Sequence, residues 1–400
     1  MTLPADLETD AAQLRQTMAK ALAEDGVLAD PAWRAAVERV PRHRFVPGFY
    51  LPADERDSLG LTVWEPVTAE LDYGRWLSAA YTDTTLITQF DGDEPDWTRP
   101  VPRHGGAPTS SSTLPSLVVR MWADADVREG HRTLEIGTGT GYSTALACER
   151  LGPEMVTSIE VDPHRLAQAA DALHECGYSP TLAVADGLYG YWPEASFDRI
   201  VAACSFRALP PALLAQTRPG GKILLTLSGW LYGYARVLLT VGEDGTAEGR
   251  LLPGTVSFMS ARTHAAPAFG NPDHWAARTD DDGRPTAHSP QRITAATEEA
   301  FHLRFLAQTA VPDAQMTWLG ESVLLVDTVT GSAALLAPQG SGGWEVREGG
   351  PVRLWERVEN VLTAYDEAGR PGPQMFTLHV YDGGQHLQHP HIPALPLPRP

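Results

Sequence analysis

Short apolar runs alternate with helical stretches through the middle of the chain. Thr133 to Ile136, Met155 to Glu160, Thr181 to Ala185, Arg199 to Ala203 and Ile223 to Leu227 are each rich in Val, Ile or Leu. Runs this short and this apolar predict buried strands. Between the early ones lie Tyr142 to Leu151 and Pro163 to Cys176, which read as helices. Strand and helix alternating at this spacing predict an α/β core, Rossmann-like, with a mostly parallel sheet covered by helices on both faces.

The flanks follow other patterns. From about Leu7 to Val40, Leu14, Met18, Ala21 and Leu22 recur at helical spacing, and Asp30-Pro31 reads as a cap with proline at the first helical position, so two short helices are expected there. PRHRFVP, Pro41 to Pro47, ends that region. Gly48 to Pro108 is rich in Trp, Asp and Pro without a clean period and reads as irregular, and a segment of that length is usually functional. Arg236–Val241 and Gly249–Leu252 flank Glu243-Asp244-Gly245, a hairpin turn signal. Beyond Ala265 a polar linker precedes strands at Val323–Asp327 and Ala333–Ala337 and a helix near Val352–Asp366, and PALPLPRP ends the chain as a loose tail. The expected division is an N-terminal helical segment (1–47), an insertion with an active-site loop (48–112), a cofactor-binding core (113–264), an additional C-terminal domain (265–390) and a tail (391–400).

Composition narrows the functions. The chain has 400 residues, 43% of them hydrophobic, and a formal charge of −19. Phosphate backbones select basic faces, so no nucleic-acid partner is expected. Three dispersed cysteines, Cys148, Cys176 and Cys204, argue against a disulfide framework or a cysteine-rich zinc site. The start of the chain lacks a signal-peptide pattern, and the most apolar stretch, Ile223 to Leu239, is interrupted by Ser228, Gly229, Gly233 and Arg236. No membrane association is expected, and the predicted location is the cytoplasm. His386, His389 and His391 have no acidic or cysteine neighbour, so no metal site is expected.

Chemistry concentrates in LEIGTGTGYSTA, Leu134 to Ala145, where a strand runs through Gly137-Thr138-Gly139-Thr140-Gly141 into a helix. Glycines there let the backbone turn tightly and approach a ligand. About twenty residues further on, Glu160 ends the second strand, where a carboxylate can accept hydrogen bonds from ribose hydroxyls. Asp186-Gly187 follows the third strand and suits an adenine amine, with the glycine giving the ring room. A solvated strand end and a turn former are the plain alternatives for the two acids, but all three features share the ligand-binding edge of a parallel sheet. The loop fits Gly-x-Gly-x-Gly better than a pyrophosphate-seating motif. Glu135, just before it, favours a cationic ligand. Together these point to S-adenosylmethionine, with a nicotinamide cofactor as the alternative on this motif alone. The residues expected to bind the cofactor are Glu135, Gly137, Thr138, Gly139, Gly141, Tyr142, Ser143, Glu160, Val161, Asp186 and Gly187.

PRHRFVP, LEIGTGTGYSTA and FDRIVAACSFRALPPALLAQTRPGGKILLTL (Phe197 to Leu227) resemble, in order, segments of the protein-L-isoaspartate O-methyltransferases, whose core is a class I methyltransferase fold. SSSTLP, Ser110 to Pro115, occupies the place of that family's hydroxyl-bearing active-site motif, with Thr113 where the family carries serine and Ser111 at an upstream hydroxyl position. The match covers about half of the chain. Departures are the longer Gly48–Pro108 segment and Ala265–Pro400, for which the family is expected to have no equivalent. PTSSSTLP, LSGWLYG (Leu227 to Gly233) and GPVRLWERVE (Gly350 to Glu359) resemble a narrower group, the methyltransferases associated with ATP-grasp peptide maturases. That resemblance implies a cross-linked ribosomal peptide as substrate, methylated on an aspartate side chain, with the ester then closing to an aspartimide.

A carboxylate (aspartate pKa about 3.9) is ionised at neutral pH and needs no general base to attack a methyl group. The protein's part is alignment and partial desolvation. Ser111, Ser112 and Thr113 are therefore expected to line the transfer site as the catalytic residues; the plain alternative is a polar loop capping the next helix. Trp64, Trp76 and Trp97 suit either peptide binding or core packing. Arg42 and Arg44 suit an acidic substrate or a solvated helix end. Two other functions stay open: repair of isoaspartyl proteins, and a non-catalytic cofactor-binding partner of a maturation enzyme.

Overall fold

Local signals set the N-terminal elements. Helix Leu7–Glu24 is followed by helix Pro31–Arg39, whose cap Asp30 accepts the amide of Ala32 at 2.8 Å, with proline in the first turn. PRHRFVP then forms a tight 3-10 turn, Arg42–Phe45. The computed structural model describes residues 6–280, 282–340 and 342–399. The chain divides into two compact units: one runs to Ala203 and takes in Gln216–Arg218, and the other holds Cys204–Ala215 and the chain from Pro219 onward.

The first unit contains the parallel ladder that the apolar runs predict. Thr133–Ile136 lies between Val156–Glu160 and Phe197–Phe206, and Thr181–Val184 pairs with the outer side of Val156–Glu160, all parallel. Helices Tyr142–Leu151 and Pro163–Glu175 follow the first two strands, as expected. Leu134, Ile159 and Ile200 are fully buried in this ladder. Its geometry brings the ends of successive strands to one edge, where the glycine loop, Glu160 and Asp186 lie.

The segment from Gly48 to Pro108 is not irregular. With Ser112 it builds a five-stranded antiparallel sheet in the order Arg103–His104, Thr62–Thr68, Gly48–Arg56, Leu86–Phe90, Pro108–Ser112, and helix Tyr73–Ala80 lies within it. Prolines inside two of its strands hide the pattern: Pro66 pairs with Tyr50, and Pro52 with Trp64. The first strand is buried only over its first three residues and then runs out into solvent. Tryptophans hold this sheet. Trp76 is buried and donates its indole N–H to the Val46 carbonyl at 2.8 Å. Trp64 packs on Phe90 at 5.1 Å and Trp97 on Tyr50 at 5.0 Å between ring centres. Of the two readings of these tryptophans, packing is the one these contacts describe.

The second unit differs from its expected outline. Thr217–Ser228, Tyr234–Val241, Ala247–Leu251, Thr377–Tyr381, Gly384–His389 and Ile392–Pro396 pair antiparallel in that order. One sheet thus takes strands from both sides of the expected border at residue 264. The C-terminal residues are not a loose tail: Ile392 and Leu395 are buried in the last strand. A second sheet runs Arg284–Pro285, Trp344–Gly349, Ser332–Pro338, Ser322–Asp327, Ala314–Leu319, with helices Glu298–Ala310 and Leu354–Glu367 alongside in the sequence. Among the described residues no helix is long and apolar enough to cross a membrane.

A β-carbon at position 48 would lie 2.2 Å from Cδ2 of Trp97. Gly48→Ala is expected to displace that indole, cost about 1–3 kcal/mol in denaturant unfolding, and shift the tryptophan emission.

Candidate active site

The loop after Thr133–Ile136 is built for close approach. Gly137, Gly139 and Gly141 have φ of 94°, 55° and 89°, a region that side chains disfavour. A β-carbon on Gly141 would lie 3.2 Å from the β-carbon of Ala169 and 3.4 Å from the Phe45 ring. The amides of Gly137 and Thr138 donate to the Ile159 carbonyl at 2.8 and 3.2 Å, which ties the loop to the second strand. Helix Tyr142–Leu151 starts at Gly141 without a side-chain cap, and an uncapped helix start presents backbone N–H groups.

Glu160 sits at the mouth of this loop. One carboxylate oxygen accepts the Gly139 amide at 3.0 Å, and the other accepts the amides of Val161 and Asp162 at 2.9 and 3.1 Å. Val161 beside it is 41% exposed. Asp186 is half-buried and accepts the Leu188 amide at 2.9 Å, holding the turn that contains Gly187. The loop beyond is fastened by buried Gln216, which accepts the Tyr191 amide and donates to the Tyr189 carbonyl, each at 2.7 Å.

Other predicted cofactor residues lie beneath the loop. Glu135 is 1% exposed; hydroxyls of Thr144 and Ser158 donate to it, and burial raises its pKa against the opposing hydrogen bonds of Ser143, Thr144 and Ser158. Thr138 shares a 2.8 Å hydrogen bond with Ser158. Tyr142 is buried, and Ser143 accepts the Trp122 indole N–H at 3.0 Å. The side chains of Glu135, Thr138 and Tyr142 therefore support the loop from the interior.

The hydroxyl motif meets the glycine loop. Ser111 and Ser112 end the strand Pro108–Ser112 and pair with Ile87 and Leu86. A β-carbon on Gly139 would lie 3.4 Å from the Ser111 carbonyl oxygen. Ser111 and Thr113 are half-buried, whereas Ser112 is 2% exposed with its hydroxyl 3.4 Å from Arg42 Nε. Strand alternation turns Ser112 inward, so of the three it is the one that cannot reach a substrate without rearrangement. Thr113 leads into helix Pro115–Asp124, which Asp83 joins by accepting the Ser116 amide at 2.8 Å.

Several contacts around the glycine loop have no signal in the sequence. Gln89 donates to Asp162 at 3.0 Å and accepts from the Thr109 hydroxyl at 2.8 Å; Asp162 in turn caps helix Pro163–Glu175. Arg165 pairs with Glu94, which also accepts from Gln168 at 2.7 Å. These contacts tie residues 89–109 to the turn that carries Glu160. Arg42 is not at a solvated helix end: it is fully buried, with backbone carbonyls as partners. Arg44 forms an exposed ion pair with Glu8 at 2.6 Å. Elsewhere, His389 Nδ1 accepts the His391 amide at 3.2 Å, and among the described residues no group of three or more His, Cys, Asp or Glu could hold a metal ion.

The raised Glu135 pKa fixes a pH dependence. A carboxyl whose folded pKa exceeds its unfolded value loses stability as pH rises between the two. Glu135→Gln removes that loss, so the melting temperature of the variant relative to the native protein is expected to improve from about pH 4 toward neutrality, as followed by calorimetry. A difference independent of pH would contradict a carboxylate strained by burial.

The family model for protein-L-isoaspartate(D-aspartate) O-methyltransferase matches residues 76–229. The protein-L-isoaspartate O-methyltransferase of Ignicoccus hospitalis is 37% identical over 128 residues, 32% of this chain and 59% of its own length. That of Anaeromyxobacter dehalogenans is 37% identical over 174 residues, 42% of this chain and 79% of its own. A solved structure described as a protein-L-isoaspartate O-methyltransferase aligns over 94% of this chain and 99% of its own, with a TM-score of 0.51 at 18% identity, a likeness of fold. That coverage extends well past residue 265, so the fold of the C-terminal region, expected to have no equivalent, has a counterpart in that structure. With more than two thirds of a relative's length matched at this identity, the chain belongs to the protein-L-isoaspartate O-methyltransferase family and is an S-adenosylmethionine-dependent carboxyl O-methyltransferase.

Proposed function

We propose that this enzyme esterifies an aspartate side-chain carboxylate in a cross-linked ribosomal peptide, and that the transfer takes place where the Ser111–Thr113 motif meets the glycine loop. The approach of the Ser111 backbone to Gly139 carries this reading, because it juxtaposes hydroxyls suited to a carboxylate and bare backbone suited to a cofactor. S-adenosylmethionine supplies an electrophilic methyl group on a sulfonium. A carboxylate oxygen would take that methyl group as the C–S bond breaks, leaving a neutral thioether, and no proton would move.

The residues divide the work. Glu160 accepts a ribose hydroxyl on the lone pair left over from its three backbone amides. Asp186 accepts the adenine amine, Gly187 gives the ring room, and Val161 offers apolar surface beside them. Gly137, Gly139 and Gly141 keep the loop bare, and Tyr142 and Ser143 contribute backbone N–H groups at the helix start. Glu135 and Thr138 hold the loop from below. Ser111 and Thr113 donate hydrogen bonds that aim the carboxylate. Arg42 is committed to carbonyls and does not clamp it, which avoids overstabilising the ground state. A neighbouring backbone amide nitrogen then attacks the ester carbon and expels methanol, which carries off the amide proton.

The choice of a cross-linked peptide rests on the resemblance of PTSSSTLP, LSGWLYG and GPVRLWERVE to the maturase-associated methyltransferases. Repair of isoaspartyl proteins is the second reading. The names of the relatives favour it, and the shared fold of the C-terminal region removes an argument against it. Membership of a family of enzymes leaves no reason to retain the non-catalytic alternative.

Two measurements test this. Mass spectrometry after incubation with S-adenosylmethionine is expected to show gain of one methyl, then loss of methanol, on a cross-linked precursor encoded beside the gene. Turnover confined to a generic isoaspartyl peptide would replace tailoring by repair. For the cofactor site, Glu160→Gln is expected to weaken S-adenosylmethionine binding at least about tenfold, roughly 1.4 kcal/mol, by titration calorimetry. An unchanged Kd would remove Glu160 from the site.

A further inference from the structure

We propose that Arg42 is a positioning residue for methyl transfer, setting the distance between the hydroxyl motif and the cofactor loop without touching either reactant. The proposal rests on the reading of Ser111 and Thr113 as the transfer site.

The Arg42 side chain is 0% exposed and donates to five carbonyls. Those of Ala80, Thr82 and Thr84, at 3.2, 3.0 and 2.9 Å, belong to the stretch from the last residue of helix Tyr73–Ala80 toward strand Leu86–Phe90. Those of Ser112 and Thr113, both at 3.2 Å, belong to the hydroxyl motif. A guanidinium is planar with five N–H donors in a fixed fork, so it can hold two backbone stretches at a set separation. Side chains of the first stretch reinforce the join: Thr85 accepts the Leu114 amide at 3.3 Å, and Asp83 the Ser116 amide at 2.8 Å. Thr113 sits in the middle of these contacts.

The same turn bears on the cofactor side. The Arg42 guanidinium carbon lies 5.6 Å from the centre of the Tyr142 ring, within cation–π range. Tyr142 is the first residue of the helix after the glycine loop. Phe45 packs on Tyr142 at 6.1 Å, and its ring would meet a β-carbon on Gly141 at 3.4 Å. One short turn thus contacts the backbone carrying the hydroxyl motif and the residues that end the cofactor loop. Burial lowers the Arg42 pKa to about 10, so the group stays charged at neutral pH and the carbonyl dipoles remain its solvent. Transfer rates are sensitive to placement, and an error of about 1 Å can cost about a hundredfold. Stability alone would make no such demand.

Arg42→Lys keeps the charge but offers an ammonium in place of the fork. In single-turnover methyl transfer, its rate per folded molecule is expected to fall about tenfold or more, with the Kd for S-adenosylmethionine and the KM for peptide near native values. Ser112→Ala, which removes the hydroxyl 3.4 Å from Nε of Arg42, is expected to slow transfer severalfold at little cost in melting temperature. It decides the matter should the lysine variant fail to fold. Native transfer rates in the folded variants would overturn the proposal, as would losses explained wholly by cofactor affinity. Ser111→Ala and Thr113→Val serve as parallel variants. If neither slows transfer, the location of the site is wrong; if they do and the Arg42 and Ser112 variants do not, only the positioning role falls.

Discussion

The Gly139 position constrains both halves of the proposed site. Its φ of 55° lies in the left-handed region, and the space a β-carbon would take is bounded at 3.4 Å by the Ser111 carbonyl oxygen. That distance is ordinary van der Waals contact, so the left-handed backbone, more than lack of room, keeps a side chain out of this approach. Its amide is also taken, by Glu160 at 3.0 Å, so the residue that meets one side of the site is hydrogen-bonded to the other. The parallel ladder fixes where the loop and Glu160 emerge, and the antiparallel sheet of residues 48–112 fixes where Ser111 arrives.

Two buried ionisable side chains support this arrangement and are solvated in different ways. Glu135 lies under the loop and is met by hydroxyls from the helix and strand around it. Those donors oppose the burial that raises its pKa without cancelling it. Arg42 is surrounded by carbonyl oxygens from two backbone stretches. Burying an ion is costly unless its hydrogen-bonding groups are satisfied. Each side chain therefore organises the polar groups around it, and both sit next to the glycine loop.

Residues 89–109 extend the same logic to the second strand end. Gln89 links its strand to Asp162, Asp162 caps the helix that follows, and the Asp162 amide donates to Glu160. Ser110 pairs with Gln89 one residue before Ser111. Hydrogen bonds thus lead from the hydroxyl motif, through the insertion, to the acid proposed to hold ribose, and back through Gly139. A segment that reads as an unpatterned insertion is hydrogen-bonded to the residues of the proposed site.

The sequence alone determined the features whose physics is local. Apolar runs gave strands at Thr133–Ile136 and Val156–Glu160, Asp30-Pro31 gave a capped helix, and glycine spacing gave the loop with Glu160 and Asp186 at the following strand ends. Burial, capping and left-handed backbone each leave a mark within a few residues, so they can be read without a fold. Tertiary structure decided the rest. Strands interrupted by Pro52 and Pro66 formed a sheet because their partners, not their own period, supplied the order. Ala247–Leu251 found its neighbour in Thr377–Tyr381, far along the chain, and the expected border at residue 264 gave way to that pairing. Arg42 looked like a surface arginine because its partners are main-chain carbonyls, which every residue carries and no sequence motif announces.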